Sequence, residues 1–499
     1  MSRIHKRNRG RGRTRSRVRV GAPDPSLTGN AGMAAITELC DRLDVVATLN
    51  RRVGPIKARE RGHGAGQLLV GLAAAQLAGQ DFLVGLDRHR ADAAGQALTP
   101  VPGLASTTAA GLARRFDDAQ WRAVESGIAE INERMLELLP APRAAALCSG
   151  PVTVDLDTTD VEVYGRHKEG VAYNYQGQRA GRPHVAIWAE TETALAADLG
   201  CGLDDPRSTA SELLGRALAG LPARIDRARV RLRVDAGYFA AKLARAAHTE
   251  GIGFAIGAKR VAPLWRLLDG IAEHAWHDAK DMDNAQVAVA DYAPADWPPD
   301  TRLLIRRVRL EPDQISTDPR SRRRRTLHPD QRTLPMDEIA DLDAIHGYSF
   351  LLTNLDVSTP ERAVTVEHWY RHRTTVENVF RDSKHGAALR HLPHHVRPEG
   401  RGLRPRCAEV GEGHLERDGG AVRGIAADPG RSPRRGRPRR HRHRQLPQQP
   451  AALPQRQHQV RVQHRQGHCD AGGRGLEEGP RRHPRQGQCQ AQVRVPDLR

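Results

Sequence analysis

Between residues 30 and 146 apolar positions recur every three or four residues, the helical period; from 151 they alternate. "MAAITELCDRLDVVATLNRRVG" predicts an amphipathic helix ending at Gly54, and "QLLVGLAAAQLAGQ" a buried one. "GLASTTAAGLARRFDD" predicts a helix capped by Ser106, with Leu112, Ala113 and Phe116 inward and Arg114 and Arg115 outward. "DAQWRAVESGIAEINERMLELLP" predicts a long helix stopped by Pro140, and "LPAPRAAALCSGP" reads as a boundary. Short helices around a basic one fit either a helix-turn-helix module or a plain bundle. The first makes Arg114 and Arg115 candidate DNA contacts.

"VTVDLD" sets Val152, Val154 and Leu156 against Thr153, Asp155 and Asp157, a strand. "PHVAIWAE" and "ALAADLG" predict further strands, "STASELLGRALAGL" a helix, "RVRLRVDAGYF" a strand, "AAKLARAAHTEG" a helix and "IGFAIGAK" a strand. The order is that of a mixed α/β sheet. Residues 270–358 then read as a β-rich insertion, with strands in "AQVAVADY", "TRLLIRRVRL" and "GYSFLLTNL". Its polar loop carries Arg322, Arg323, Arg324 and Arg325, candidate phosphate contacts. A helix closes this part within 359–395. The expected division is a disordered basic arm at 1–28, a helical domain at 29–147, the first part of the sheet at 148–269, the insertion, the closing helix, and a tail at 396–499.

Charge changes the picture of that tail. It holds 23 Arg and 10 Asp or Glu, +13 of the chain's net +19, which leaves an ordinary +6 for residues 1–395. Lys, Asn, Thr, Met, Phe, Tyr and Trp are absent from it, so it cannot bury enough apolar surface to offset chain entropy, and disorder is expected. It reads either as a basic nucleic-acid-binding tail or as translation out of frame in a GC-rich gene. The abrupt onset and the loss of residues with mostly AT-rich codons favour the second. No apolar run reaches the ~18–20 residues of a membrane span. The scattered cysteines suggest no disulfide framework, which points to a reducing cytoplasm.

Three acids stand out by position. Asp157 and Asp235 close strands, and Glu377 lies on the last helix. Carboxylates at strand ends gather at one edge of an α/β sheet. Together they repel one another unless a cation sits among them, and hard oxygen donors suit Mg²⁺ or Mn²⁺. Two such ions can activate an attacking oxygen and stabilise a leaving one at a phosphodiester. At 100° per residue, Tyr370, Arg373, Glu377 and Lys384 fall within an arc of about 60° on one helix face, beside an apolar stripe of Trp369, Val376, Val379, Phe380 and Ala387. Arg373 and Lys384 then stand as phosphate clamps next to a metal ligand. The plainer alternatives are a solvated i,i+4 pair for Arg373 and Glu377 and turn caps for the two Asp. Asp155 shares the face of Asp157 and is an alternative ligand; Asp160 reads as a turn residue and Asp382 as surface.

These residues resemble the DDE transposases of bacterial insertion sequences, in the group marked by Y-x2-R-x3-E-x6-K. Tyr370, Arg373, Glu377 and Lys384 match all four positions, "DLDTT" the first-acid motif and "RVDAGYF" the second. "VYGRHKEGVAYNYQGQRAGRPHVAIW" also resembles the segment that follows the first acid. The resemblance implies an RNase H-like core with a β-rich insertion, preceded by an all-α domain that binds element ends. It implies Asp157, Asp235 and Glu377 as catalytic metal ligands for two Mg²⁺ or Mn²⁺ ions, with Tyr370, Arg373 and Lys384 toward DNA. It implies cleavage and strand transfer on double-stranded DNA by a homodimer in the bacterial nucleoid. The sequence departs from the family after "HLP", where apolar helices are expected. The alternatives are therefore an acting transposase, a degenerate copy that holds DNA without cutting, and a nuclease without strand transfer.

Overall fold

The computed structural model describes residues 22 and 24–391, apart from 60, 165–167, 169, 319, 320, 341 and 343. The basic arm up to residue 21 and the Arg-rich tail lie outside the described residues.

The first half is helical: α1 (Met33–Arg42), α2 (Val45–Val53), α3 (Ala65–Leu77), α4 (Gly85–Ala91), α5 (Ala93–Gln96), α6 (Ser106–Ala113), α7 (Asp118–Glu137) and α8 (Ala141–Ser149). Leu68, Leu104, Ala109, Leu112 and Phe116 form its core. Three expectations are corrected here. The first predicted helix is two, because Asp44 takes φ 52°, a left-handed conformation that ends one helix and starts another. Ser106 is the first helical residue, not the cap, and its hydroxyl donates to Asp87 Oδ2 at 2.5 Å; Ala113 is exposed. The stretch read as a boundary carries α8, since a proline is tolerated in a first helical turn and the alanines after it favour helix. Asp117 and Gln120 cap α7 reciprocally at 2.8 and 3.1 Å.

The second half is one eleven-stranded sheet: β1 (Val152–Thr158), β2 (Val161–Glu162), β3 (Ala172–Tyr173), β4 (Arg179–Trp188), β5 (Thr193–Cys201), β6 (Val230–Val234), β7 (Gly253–Gly257), β8 (His277–Asp278), β9 (Ala285–Ala290), β10 (Arg302–Arg309) and β11 (His346–Thr353). Its helices are α9 (Pro206–Ala219), α10 (Ala241–Thr249), α11 (Ala262–Asp269), α12 (Pro329–Arg332), α13 (Met336–Ala340), α14 (Pro360–Arg371) and α15 (Thr374–Gly386). The path β5-β4-β1-β6-β7, with β4 antiparallel to both neighbours and β1, β6 and β7 parallel, is an RNase H-like order. The strands of 270–358 form no separate layer: β11 pairs antiparallel with β7 and extends the sheet through β10, β9 and β8.

Alternation on β1 and β6 sends Val152, Val154, Leu156, Val230, Leu232 and Val234 into a core with Leu213, Leu214 and Leu218 of α9 and Leu243 of α10. Each wholly buried leucine contributes ~1.5–3 kcal/mol. The other face of β1 is polar yet covered, by α14 and α15. Trp369 Nε1 donates to Thr153 Oγ1 at 3.0 Å. Arg233 on β6 donates twice to Asp155, from Nε to Oδ1 at 2.7 Å and from Nη2 to Oδ2 at 2.8 Å. Their side chains are 4% and 0% exposed. Arg233 Nη1 also donates to the Trp369 carbonyl at 2.5 Å, and its guanidinium lies 5.3 Å from the Trp369 ring centre. One buried pair thus joins β1, β6 and the end of α14.

Asp155→Ala leaves the Arg233 guanidinium buried without its counter-charge, which should cost about 3–5 kcal/mol in urea unfolding. A loss below about 1 kcal/mol, the range of an exposed pair, would show that water reaches this cation and that the pair does not brace the sheet.

Candidate active site

Asp157 and Asp235 sit at the carboxyl ends of the parallel neighbours β1 and β6. Each spends one oxygen on its own turn. Asp157 Oδ1 accepts from the Thr158 N–H, and Asp235 Oδ1 accepts from the Gly237 N–H, both at 2.8 Å. Asp235 is thus a turn cap as well as a candidate ligand. Their other oxygens face one guanidinium: Arg373 Nη2 lies 3.7 Å from Asp157 Oδ2 and 4.0 Å from Asp235 Oδ2.

Arg373 reaches this place because the closing helix is broken. The single face expected for Tyr370, Arg373, Glu377 and Lys384 is not formed. α14 ends at Arg371, His372 takes ψ 49°, and Arg373 is the cap of α15. The break turns Arg373 inward over the sheet end, and its side chain is 15% exposed. α15 is then docked by Val376 and Phe380 on Ile187 of β4. Tyr370 also points inward: its hydroxyl donates to the Val234 carbonyl at 3.1 Å, and burial first raises its pKa to about 12. Gly257 makes room for it. A Cβ there would lie 2.6 Å from the Tyr370 hydroxyl and 2.7 Å from the Ala236 nitrogen. Lys384 donates to the Thr159 hydroxyl and to the Asp160 carbonyl, clipping α15 to the loop after β1.

Burial pushes the Asp157 carboxyl up to about 6. Arg373 works against the rise, while Asp235 and then Glu377 add to it. The site therefore carries more negative charge than its one arginine balances. Glu377 is exposed on α15 and shares this field. Among the described residues no three His, Cys, Asp or Glu side chains stand close enough together to hold an ion. Asp155 is committed to Arg233. Asp160 pairs with Arg182 at 2.7 Å, and Asp382 is exposed beside Arg381. Arg114 and Arg115 are exposed at the end of α6. Of the four loop arginines, Arg322, Arg323 and Arg325 are exposed. Arg324 is buried and donates to the carbonyls of Arg332 and Leu334, so it braces its own loop.

Two residues of the site escaped the pattern. Arg233 was visible as a cation on the polar face of an alternating strand. Tyr238 follows Asp235 by three and is buried; burial, then Asp157 and Asp235, raise its pKa. Nothing in its spacing marks it.

The sheet order and the acids at two adjacent strand ends define an RNase H-like protein with a carboxylate-rich site. The description "Transposase DDE domain group 1" matches residues 11–319, and the chain belongs to that family of DNA transposases. The match includes Asp157 and Asp235 and ends before α12 to α15. No curated protein matches the chain. One similar solved structure is a piggyBac transposase synaptic complex with hairpin DNA, 9% identical, with a TM-score of 0.33 over 70% of this chain and 68% of that chain.

The raised Asp157 value has a definite sign. The folded state binds this proton more tightly than the unfolded chain, whose carboxyl titrates near 3.9. The carboxyl therefore favours folding below about pH 4, and that contribution is lost as pH rises through about 6. In metal-free buffer Asp157→Asn should be the more stable form at pH 7.5, by on the order of 2–3 kcal/mol. The difference should shrink toward zero at pH 4. Equal stability at both pH values would mean that Asp157 is not strained by its surroundings.

Proposed function

We propose that this protein is a divalent-metal-dependent transposase that cleaves phosphodiester bonds at the ends of a bacterial insertion sequence and joins the freed 3′ end to target DNA. The observation that supports it most is the aim of the Asp157 and Asp235 Oδ2 atoms at one cation from adjacent strand ends. The donor chemistry fits Mg²⁺ or Mn²⁺: the oxygens are hard, and burial first, then Asp235 and Glu377, raises the Asp157 carboxyl, which a bound cation would relieve. Asp157, Asp235 and Glu377 would hold two ions. When bound, such ions polarise the phosphoryl group and supply a nucleophilic oxygen at neutral pH.

The chain's own residues prepare that site. Arg373 keeps the two Asp carboxylates aimed inward while their charge is uncompensated. Tyr370 fixes the end of β6 through the Val234 carbonyl, and Lys384 fixes the loop after β1. Arg114 and Arg115 offer exposed cations to double-stranded DNA, whose phosphates set affinity more than sequence. Work at two element ends at once calls for a homodimer on DNA. The place of action is the bacterial nucleoid; among the described residues no helix is long and apolar enough to cross a membrane.

A second reading has an observation in its favour. Among the described residues the acids form no cluster of three close enough to hold an ion, which suits a copy that holds DNA without cutting it. The two separate in one assay. With Mg²⁺ and a duplex carrying the element end, the first reading expects nicked and joined products, abolished by Asp157→Ala, Asp235→Ala or Glu377→Ala. It also expects Mg²⁺ to raise the melting temperature of the wild type and not of Asp157→Asn. Binding without product, and no Mg²⁺ shift, would leave only the DNA-holding reading. Nicks without joined product would identify a nuclease.

A further inference from the structure

Arg260, Arg322 and Arg325 converge on one short piece of β11, from two distant stretches of the chain. Arg260 lies just beyond β7, and its Nε donates to the Tyr348 carbonyl at 3.2 Å. The turn holding the other two is tied one residue away, through the bridge between Leu327 and Gly347. Neighbouring cations in that turn are used internally: Arg323 donates to Gln314 at 2.9 Å, and Arg324 is buried on carbonyls. Among the described residues, the guanidinium groups of Arg322 and Arg325 have no hydrogen bond or ion pair. Burial, then Arg325 and Arg322, press the pKa of Arg260 below its ordinary value. Arg260, Arg322 and Arg325 thus repel one another, and among the described residues no ion pair joins any of them to a carboxylate.

Its place gives it a ligand. Gly257, the last residue of β7, lies against Asp235, whose carbonyl carbon would be 3.0 Å from an added Cβ. Arg260 is three residues farther, so its backbone is within about 11 Å of Gly257 at full extension. The carboxyl ends of β1, β6 and β7 point the same way, because the three strands are parallel. Arg260 thus follows the strand end that meets Asp235, and the basic turn is joined to the same part of β11.

We propose that Arg260, Arg322 and Arg325 form a phosphate clamp that takes the DNA backbone beside the bond held at Asp157 and Asp235. The placement rests on the proposed function; the clamp's affinity for phosphodiesters does not. Guanidinium groups grip phosphate oxygens without reading bases, so a duplex of arbitrary sequence is a sufficient probe.

The full-length chain is titrated with that duplex by fluorescence anisotropy across a range of KCl concentrations. Each phosphate contact contributes about 0.9 to the slope of log affinity against log salt. The triple variant Arg260→Gln/Arg322→Gln/Arg325→Gln should lower the slope by about 2–3, while Arg302→Gln, at the opposite end of β10 and paired with Asp291, leaves it unchanged. The Arg-rich tail is common to all variants and cancels in the comparison. A triple variant with the wild-type slope, or Arg302→Gln with the same loss, overturns the clamp. Ethylation interference on the wild-type chain, with a duplex carrying the element end, needs no substitution: the phosphates whose ethylation blocks binding should include those flanking the cleaved bond, and interference only elsewhere also overturns it. A lowered slope without Mg²⁺-dependent cleavage would keep the phosphate clamp and remove the transposase reading. Cleavage with an unchanged slope would do the reverse.

Discussion

A guanidinium and a carboxylate, Arg233 and Asp155, are buried together in the middle of the sheet, and the geometry of the acid site follows from them. The pair spans two parallel strands, so it holds β1 and β6 in register. Its remaining nitrogen takes the carbonyl of Trp369, near the end of α14. Desolvating such a pair is costly and is offset only when every donor is used. Here Nε, Nη1 and Nη2 all have acceptors. Asp157 and Asp235 then emerge from strands whose relative positions are set, and Arg373 arrives from a helix end that is set with them.

The acid site sits on this brace with its charges out of balance. Two carboxylates face a single arginine, and a third acid adds to the repulsion. A site built for stability alone would pair each acid, as Asp155 and Asp160 are paired. A carboxylate perturbed by burial and by neighbouring acids, as Asp157 is, is the kind of group that clusters at functional sites. The break between α14 and α15 belongs to the same design. A continuous helix would carry Arg373 along its face, whereas a break at His372 lets the side chain turn over the strand ends.

The remaining elements serve this edge. Arg122 pairs with Glu212 at 2.7 Å and Asn132 donates to the Ala194 carbonyl at 3.1 Å, so α7 is pinned to α9 and β5. On the other side β11 covers the edge of β7, which would otherwise expose unpaired backbone groups. The same pairing brings the basic turn at Arg322–Arg325 beside Arg260.

Periodicity alone carried much of this. The helical first half, the alternating strands and the helices between them follow from where Val, Leu, Ile and Ala stand, because burial of one face is a local property of spacing. Asp157 and Asp235 were legible as acids closing two strands, and Tyr370, Arg373, Glu377 and Lys384 as a spaced set. Tertiary structure decided what spacing cannot encode: which charges meet. The polar face of β1 is covered, since a helix from more than 200 residues later packs on it. Asp155 and Arg233, 78 residues apart, became partners only through strand register. The turn at Asp44 and the break at His372 depended on backbone angles that packing selects. Charge pairing is a matter of distance in three dimensions, and the chain order holds no distances between segments that fold brings together.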